Sequence, residues 1–253
     1  MSGGVAPVGR DATYLDKQIW AAEARHFWFR ARLRLVQWTL RRYFPGAGRL
    51  LDVGCGTGFV LEGIRRSAPS LALAGCDLRL DTLDIARHRV PDAILFAADM
   101  TRLPFASEFD VVTALDVLEH TDDDIAALEG LLKVMKPGAG LILTVPQHPW
   151  LWSAVDDFSC HRRRYTRAGL EEKARTAGFD IVRCTSFFAA TLPMLALSRF
   201  GRRRAFDPAA ELQIPVALNA VLGAALRVET ALVRWGASLP FGSSLMVVAR
   251  RLT

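Results

Sequence analysis

Cysteine is scarce in this chain of 253 residues, and it is nowhere paired. Cys55, Cys76, Cys160 and Cys184 form no C-x-x-C and no framework of regular spacing. That excludes a small disulfide-stapled scaffold and fits a reducing compartment. Residues 1–18, "MSGGVAPVGRDATYLDKQ", lack the apolar core of a secretory signal. No uncharged apolar run reaches the roughly 18–20 residues that a membrane span needs. Internal repeats and low-complexity tracts are also absent. The expected location is the cytoplasm, either free or at the surface of a membrane.

What is present describes a globular protein. Hydrophobic residues make up 51% and charged residues 23%, enough to bury a real core within one domain over 1–253. The net charge is +6 and the pI about 9.5. Much of the excess is arginine, clustered in runs at 162–164 and 202–204. Taken singly, each run reads as a solvated face. The sharper reading is contact with an anionic membrane surface or a phosphate-bearing ligand.

Residues 12–42 carry a helical pattern through Trp20, Ala24, Phe27, Phe29, Leu33, Val36, Trp38 and Leu40. From Arg49 the pattern changes to short apolar strands alternating with helical windows. Strands are expected at 49–53, 71–77, 93–99, 109–115 and 141–146, with later ones at 180–187 and 243–252. Helices are expected at 58–69, 80–89 and 123–135, the last ended by the turn "KPGAG". Another, at 167–177, is capped by Thr166 and stopped by Gly178. An apolar insertion at 187–242 holds two further helical windows. This alternation predicts an α/β fold with a doubly wound, largely parallel sheet and right-handed crossovers. Ligands of such sheets lie outside the carboxyl ends of the strands. The residues to watch are therefore Asp52 with its glycines, Asp77, Asp99, Leu115–Asp116 and Pro146–His148.

The stretch 50–59, "LLDVGCGTGF", follows the first strand with a glycine turn suited to close approach of a ligand. A phosphate-binding loop would end in Gly-Lys-Ser/Thr, and no lysine is present. A dinucleotide fingerprint would place a third small residue where Phe59 stands. The pattern here is D-x-G-x-G-x-G, from Asp52 through Gly54, Gly56 and Gly58.

With "GCD" closing the second strand, "AADMTRLPF" the third, and "FDVVTALDVLEH" leading to "LKVMKPGAGLILTVP", the chain resembles class I S-adenosylmethionine-dependent methyltransferases. Within these it is most similar to the small-molecule group that includes the ubiquinone-biosynthesis O-methyltransferases. The motifs span about 49–146 in family order. The resemblance implies a Rossmann-like seven-stranded sheet whose last strand is antiparallel. It divides the single domain into an N-terminal helical segment (12–45), a cofactor-binding core (49–146), an acceptor-side segment (147–179) and a helical insertion or lid (187–242).

It also implies roles for individual residues. Gly54, Cys55, Gly56 and Gly58 would pass beneath the methionine part of S-adenosylmethionine, with Asp52 orienting the loop near the ammonium. Asp77 would accept both ribose hydroxyls, since a carboxylate can take two hydrogen bonds at once. Asp99 would accept the adenine amine, with Met100 or Leu78 against the ring. Leu115 and Asp116 would close the site below the sulfonium. An arginine of the first helix, Arg34 or Arg30, would reach the methionine carboxylate. Taken singly, Asp77 and Asp99 are equally well explained as turn or helix-capping acids.

Methyl transfer to a hydroxyl or protonated amine needs a base. His148 first and His161 second, beyond the fifth strand, are the candidates, with Trp150 and Trp152 as an aromatic wall; His161 or Tyr165 would contact the acceptor or pin the loop. Asp116, Glu119 and His120 would share one face if their segment were helical. In the ubiquinone enzymes a similar E-x-x-E-H group binds a divalent metal; hydrogen-bonded structural use is the default expectation here, with no metal. The expected acceptor is a small or lipid-linked molecule, methylated at oxygen. Nitrogen or carbon methylation, and a non-catalytic cofactor-binding subunit, are the alternatives. "FFAATLPMLALSRFGRRR" reads either as a lid or as peripheral membrane contact through 187–204. No RNA-binding module and no "NPPY"-type motif points to nucleic acid.

Overall fold

The computed structural model describes residues 20–200 and 213–252. Helix α1 (Phe27–Tyr43) leads into β1 (Arg49–Val53), α2 (Phe59–Ser67), β2 (Ala72–Asp77), α3 (Leu80–Arg89), β3 (Ile94–Ala97) and β4 (Phe109–Leu115). Then come α4 (Asp124–Val134), β5 (Met135–Pro146), the short α5 (Ala154–Phe158), α6 (Arg167–Thr176) and β6 (Phe179–Phe187). Helices α7 (Leu192–Phe200) and α8 (Val216–Arg234) precede β7 (Ser244–Arg251).

One seven-stranded sheet runs in the order β3-β2-β1-β4-β5-β7-β6. All pairings are parallel except those of β7, which is antiparallel to both β5 and β6. The expected doubly wound sheet with an antiparallel last strand is what forms. Both faces are covered, as the apolar parallel strands require. One core packs Leu128, Leu131 and Val134 of α4 and Leu170 and Ala174 of α6 on Leu51, Val112, Leu141 and Val247. The other packs Leu35 and Val36 of α1, Leu61 and Ile64 of α2, Leu83 of α3 and Leu226 of α8 on Leu50, Val111, Ile142 and Val248.

Two local expectations need correction. The pattern over 12–42 is not one helix: residues 20–23 are helical, a turn follows, and α1 starts at Phe27. His26 is extended and accepts from Trp28 N through Nδ1, while Asn219 of α8 receives Phe27 N at 2.8 Å. Residues 12–19 lie outside the described part of the chain. Second, "KPGAG" does not terminate a helix in a turn. It forms the first half of β5, where Gly140 lies so close to the Phe44 ring that a Cβ would stand 2.1 Å from it.

Candidate active site

Val53 of β1 is in register with Cys76 of β2 and Ala114 of β4. The glycine loop, Asp77 and Leu115–Asp116 therefore meet at one end of the sheet, where the chain order switches from β1 to β4. Such switch points open a crevice between diverging connections.

Gly54, Gly56 and Gly58 all take positive φ, at 71°, 51° and 78°. The loop is stitched over β2 by Gly54 N and Cys55 N, which both donate to Cys76 O. A Cβ on Gly54 would lie 2.3 Å from the Val117 side chain, and one on Gly58 would lie 3.0 Å from Ala86. Gly56 is different: nothing lies within 4 Å of its missing side chain. A cavity of ≈ 150 Å³ opens there, walled by Gly54 to Thr57, Phe59, Val60, Asp52, Thr82, Leu115, Glu23 and Arg32.

The charges at its rim are well defined. Asp52 is buried and accepts from Thr113 Oγ1 at 2.6 Å. Burial pushes its carboxyl up to about 7. Cys55 is buried too, and desolvation, reinforced by Asp52, holds its thiol well above the ordinary range, so it is a spacer and not a nucleophile. Asp77 Oδ2 accepts from Gly56 N at 2.9 Å and Oδ1 from Arg79 N at 3.0 Å. Each oxygen keeps a lone pair for a further donor. Asp99 caps the turn at Met100–Arg102 by accepting from Thr101 N and Oγ1. Met100 points into the core while Leu78 is 70% exposed, so of the two only Leu78 is available beside a bound ring. Leu115 lines the cavity.

Asp116 stands at the end of β4 with φ 56° and takes Thr144 Oγ1 on one oxygen and Arg32 Nη1 on the other. Its partner corrects the arginine expected from the sequence. Arg32, not Arg34, reaches the cavity, and its buried Nε has no hydrogen-bond partner. Two positions along a helix are about 200° of rotation, so Arg34 faces elsewhere: its charged neighbours are Arg30 and Arg227 of α8. An orphaned guanidinium N–H at an otherwise acidic rim suits a ligand with a carboxylate beside positive charge. With the bare Gly56 and the acid ending β2, these residues fit S-adenosylmethionine. In this arrangement Arg32 would meet the carboxylate, the loop would underlie the methionine chain, and Asp77 would hold the ribose.

Sequence reasoning missed one part of the rim. Glu23, 5% exposed, accepts both contacts of Thr57 Oγ1, at 2.7 and 2.9 Å, and pairs with Arg89 of α3 at 2.7 Å. Burial raises its carboxyl. Nothing in local spacing marks it, because Glu23, Thr57 and Arg89 lie 32 or more positions apart.

On the acceptor side the candidates separate. Tyr165 is buried, its hydroxyl donates to Asp124 and the Leu118 carbonyl, and desolvation drives its proton affinity far up. It pins the loop after β5 to the start of α4. His161 Nδ1 lies 2.9 Å from Asp156 Oδ1. His148, at φ 65° after β5, packs its ring against Trp150, and its Nε2 is buried without a partner. None of the three walls the glycine-loop cavity.

The arginine run 162–164 proves structural in part. Arg163 binds Asp124 and the carbonyls of Thr121 and Asp122, and Arg164 binds Asp156 and the Gln147 carbonyl. The run 202–204 lies outside the described residues. The expected helical face of Asp116, Glu119 and His120 is not formed. Asp116 is turned to Arg32, and Leu118–His120 is a single 3-10 turn. Glu119 is fully buried with both oxygens unpartnered, and desolvation together with Asp116 holds its carboxyl well above the usual range.

Known proteins share this arrangement. A family described as a methyltransferase domain matches residues 20–183. A demethylmenaquinone methyltransferase of Renibacterium salmoninarum is 37% identical over 106 residues, covering 42% of this chain and 44% of that one. A ubiquinone biosynthesis O-methyltransferase of Pseudomonas aeruginosa is 28% identical over 121 residues, covering 45% and 51%. The chain thus spans about half the length of the curated relatives it matches. Among solved structures, the [4+2]-cyclase SpnF superposes with a TM-score of 0.66 at 21% identity, covering 100% of both chains, a likeness of fold alone. The family match extends from the Glu23 strap to β6, across the whole cavity built on Gly54–Gly58, and the chain belongs to the methyltransferase domain family as a class I S-adenosylmethionine-dependent member.

Proposed function

We propose that the protein transfers the methyl group of S-adenosylmethionine to a hydroxyl oxygen of a small-molecule or lipid-linked acceptor. The observation that carries this reading is the cavity at the glycine loop: acidic at Asp52 and Glu23, open over Gly56, with one arginine whose Nε lacks a partner. The bound cofactor supplies a methyl group already activated by its sulfonium. The protein's share is alignment and proximity, worth about 7–11 kcal/mol in favourable cases. Arg32 and Asp77 hold opposite ends of the cofactor, and Leu115 limits its depth.

An acceptor hydroxyl also has to lose a proton. Of the two histidine candidates, His148 has a buried Nε2 without a hydrogen-bond partner, whereas His161 is held by Asp156 and directs its Nε2 toward Glu119. Burial, with Arg164 nearby, lowers its pKa, so it is neutral at neutral pH and able to accept a proton. The relatives named for quinone methylation support an acceptor with an apolar portion. Helix α7 packs beside the Pro149–Leu151 turn, and its exposed Met194 and Leu197 extend an apolar surface near that side. This supports peripheral membrane contact through 187–204.

The test is calorimetry with S-adenosylmethionine, followed by turnover with labelled methyl donor on a panel of quinol and phenol acceptors and structural analysis of the product. His148→Asn is expected to lower kcat about 10²-fold or more while leaving cofactor Kd unchanged. Binding without turnover on any acceptor would favour a non-catalytic subunit. A nitrogen- or carbon-methylated product would overturn the oxygen assignment.

A further inference from the structure

We propose that Arg30 and Arg34 of α1 and Arg227 of α8 form a binding site for the phosphate of an anionic phospholipid. The site deepens the membrane contact proposed through 187–204 and rests on that reading, but it lies on a different pair of helices.

Helices α1 and α8 lie side by side and run the same way. Asn219 receives the Phe27 N–H near one end, and Arg183 gathers the Tyr43 hydroxyl and the Val233 carbonyl near the other. Ala31 and Leu35 of α1 and Leu222, Leu226 and Val233 of α8 are buried in the same core. Arg30 and Arg34 are one helical turn apart on α1. A Cβ on Gly223 would stand 3.8 Å from Phe27 Cβ and 3.9 Å from Arg227 Nη1, so the Arg227 guanidinium lies over the seam between the helices.

The three charges have no counter-charge. Among the described residues none of them is paired with an acid, and Arg34 Nε is buried without a hydrogen-bond partner. Burial, then the charges of Arg30 and Arg227, push the Arg34 guanidinium down from its ordinary range. Helix α1 contains no Asp or Glu, and the one acid of α8, Glu229, is buried and engaged by the N–H groups of Phe188 and Ala190. Like charges gathered in this way repel. A phosphate shared among three guanidinium forks removes the repulsion and satisfies the orphaned N–H.

The neighbouring surface selects a lipid. Val221, Val228 and, at the end of α8, Trp235 recur every seven residues, which keeps them close to one line along the helix, and all three are exposed. Arg227 and Arg234 each precede one of them by a single position and are exposed as well, so they border the apolar row. Such a row sets acyl chains against the apolar side chains and head-group phosphates against the arginines. A second copy of the chain is a poorer occupant. A twofold dimer sets one patch against itself, and here arginine would meet arginine with no acid to answer it.

The test is flotation of the full chain with phosphatidylcholine vesicles, with and without phosphatidylglycerol, at about 0.1 M salt. Binding is expected to the mixed vesicles. Arg30→Gln, Arg34→Gln and Arg227→Gln should each weaken it about fivefold, and the triple variant about 100-fold. Cofactor Kd, read by calorimetry, should stay unchanged in all of them. Arg175→Gln removes the same charge from α6, on the opposite face of the sheet, and should leave vesicle binding as it is. Arg30 and Arg227 are exposed, so their variants remain informative if thermal unfolding shows that Arg34→Gln disturbs the fold. An equal loss in Arg175→Gln would reveal a diffuse field in place of a site and overturn the proposal. So would displacement from the vesicles by millimolar glycerol 3-phosphate or inorganic phosphate, which would make the ligand a soluble anion. If the triple variant still floats while Leu197→Asp does not, the contact through 187–204 stands and the arginine site falls. If the wild type itself does not float, both fall.

Discussion

Arg32 places Nη1 2.5 Å from Asp116 Oδ2 and lays its guanidinium 4.3 Å from the centroid of the Trp28 ring. One side chain of α1 thereby reaches the end of β4 and borders the cofactor cavity. The pair joins the helix before the first strand to the strand end beneath the expected sulfonium. Its geometry directs the first prediction.

Arg32→Ala is expected to weaken S-adenosylmethionine binding about 10–100-fold, the worth of a charge-assisted hydrogen bond at about 1.5–3 kcal/mol. Arg32→Lys should recover only part of this, because a point charge does not reproduce the planar fork. Arg34→Ala should change Kd less than twofold. Calorimetry on the three variants is sufficient, and equal effects at 32 and 34 would refute the assignment.

Asp52 sets a pH dependence. Its folded pKa of about 7 lies above the ordinary 3.8 because it is buried. Stability from this group is complete below about pH 4 and is lost as pH rises toward and through 7. Asp52→Asn should flatten that slope in urea unfolding between pH 5 and 8. A cationic ligand nearby should draw the proton off. Cofactor binding at pH 7 is then expected to release a proton in the wild type and none in Asp52→Asn, read by calorimetry in buffers of different ionisation enthalpy.

Gly54→Ala should destabilise the fold by roughly 2–3 kcal/mol, since positive φ and a Cβ 2.3 Å from Val117 act together. Adding Val117→Ala should restore part of the loss by removing the contact, leaving the backbone strain. Gly56→Ala meets no protein atom and should instead penalise cofactor binding more than stability. Denaturant midpoints and cofactor Kd together separate the two positions.

Helix α8 buries Leu222, Leu226, Glu229 and Val233, but its outer side shows Val221, Val228 and, just beyond it, Trp235. Among the described residues it is the one helix long and apolar enough to cross a membrane, with a mean hydropathy of 1.6 over an 18-residue window that is 22% buried. Anchoring of Glu229 to Phe188 N and Ala190 N ties the helix to the domain, and crossing would break that buried contact. Co-sedimentation with anionic vesicles is expected at low salt and to fall at high salt. Val221→Asp together with Leu197→Asp should abolish it. No association with anionic vesicles at either salt would remove the membrane reading.

The sheet was legible because its strands are short apolar runs, each bounded by a turn, and the periodicity changes cleanly after Arg49. The loop Gly54–Gly58 was legible because absent side chains are themselves the signal. The His26 break was not, because the Phe27 N–H freed there is satisfied by Asn219, nearly two hundred residues away. "KPGAG" was misread for a related reason: Gly140 answers the ring of Phe44, not a turn. Arg32 against Arg34 turns on which side of α1 faces the sheet, and the arginine-rich pattern leaves that undecided.

Local chemistry therefore determined the alternation of strand and helix, the glycine loop and the acids at the strand ends, since propensity, turn geometry and burial period all act over a few residues. Tertiary structure alone decided what those acids meet. It turned Asp116 to Arg32, sealed Glu23 against Thr57 and Arg89, withdrew Tyr165 into the core, and brought His161 to Glu119. Hydrogen bonds and ion pairs between distant segments depend on where packing puts the backbone, and no local pattern carries that information.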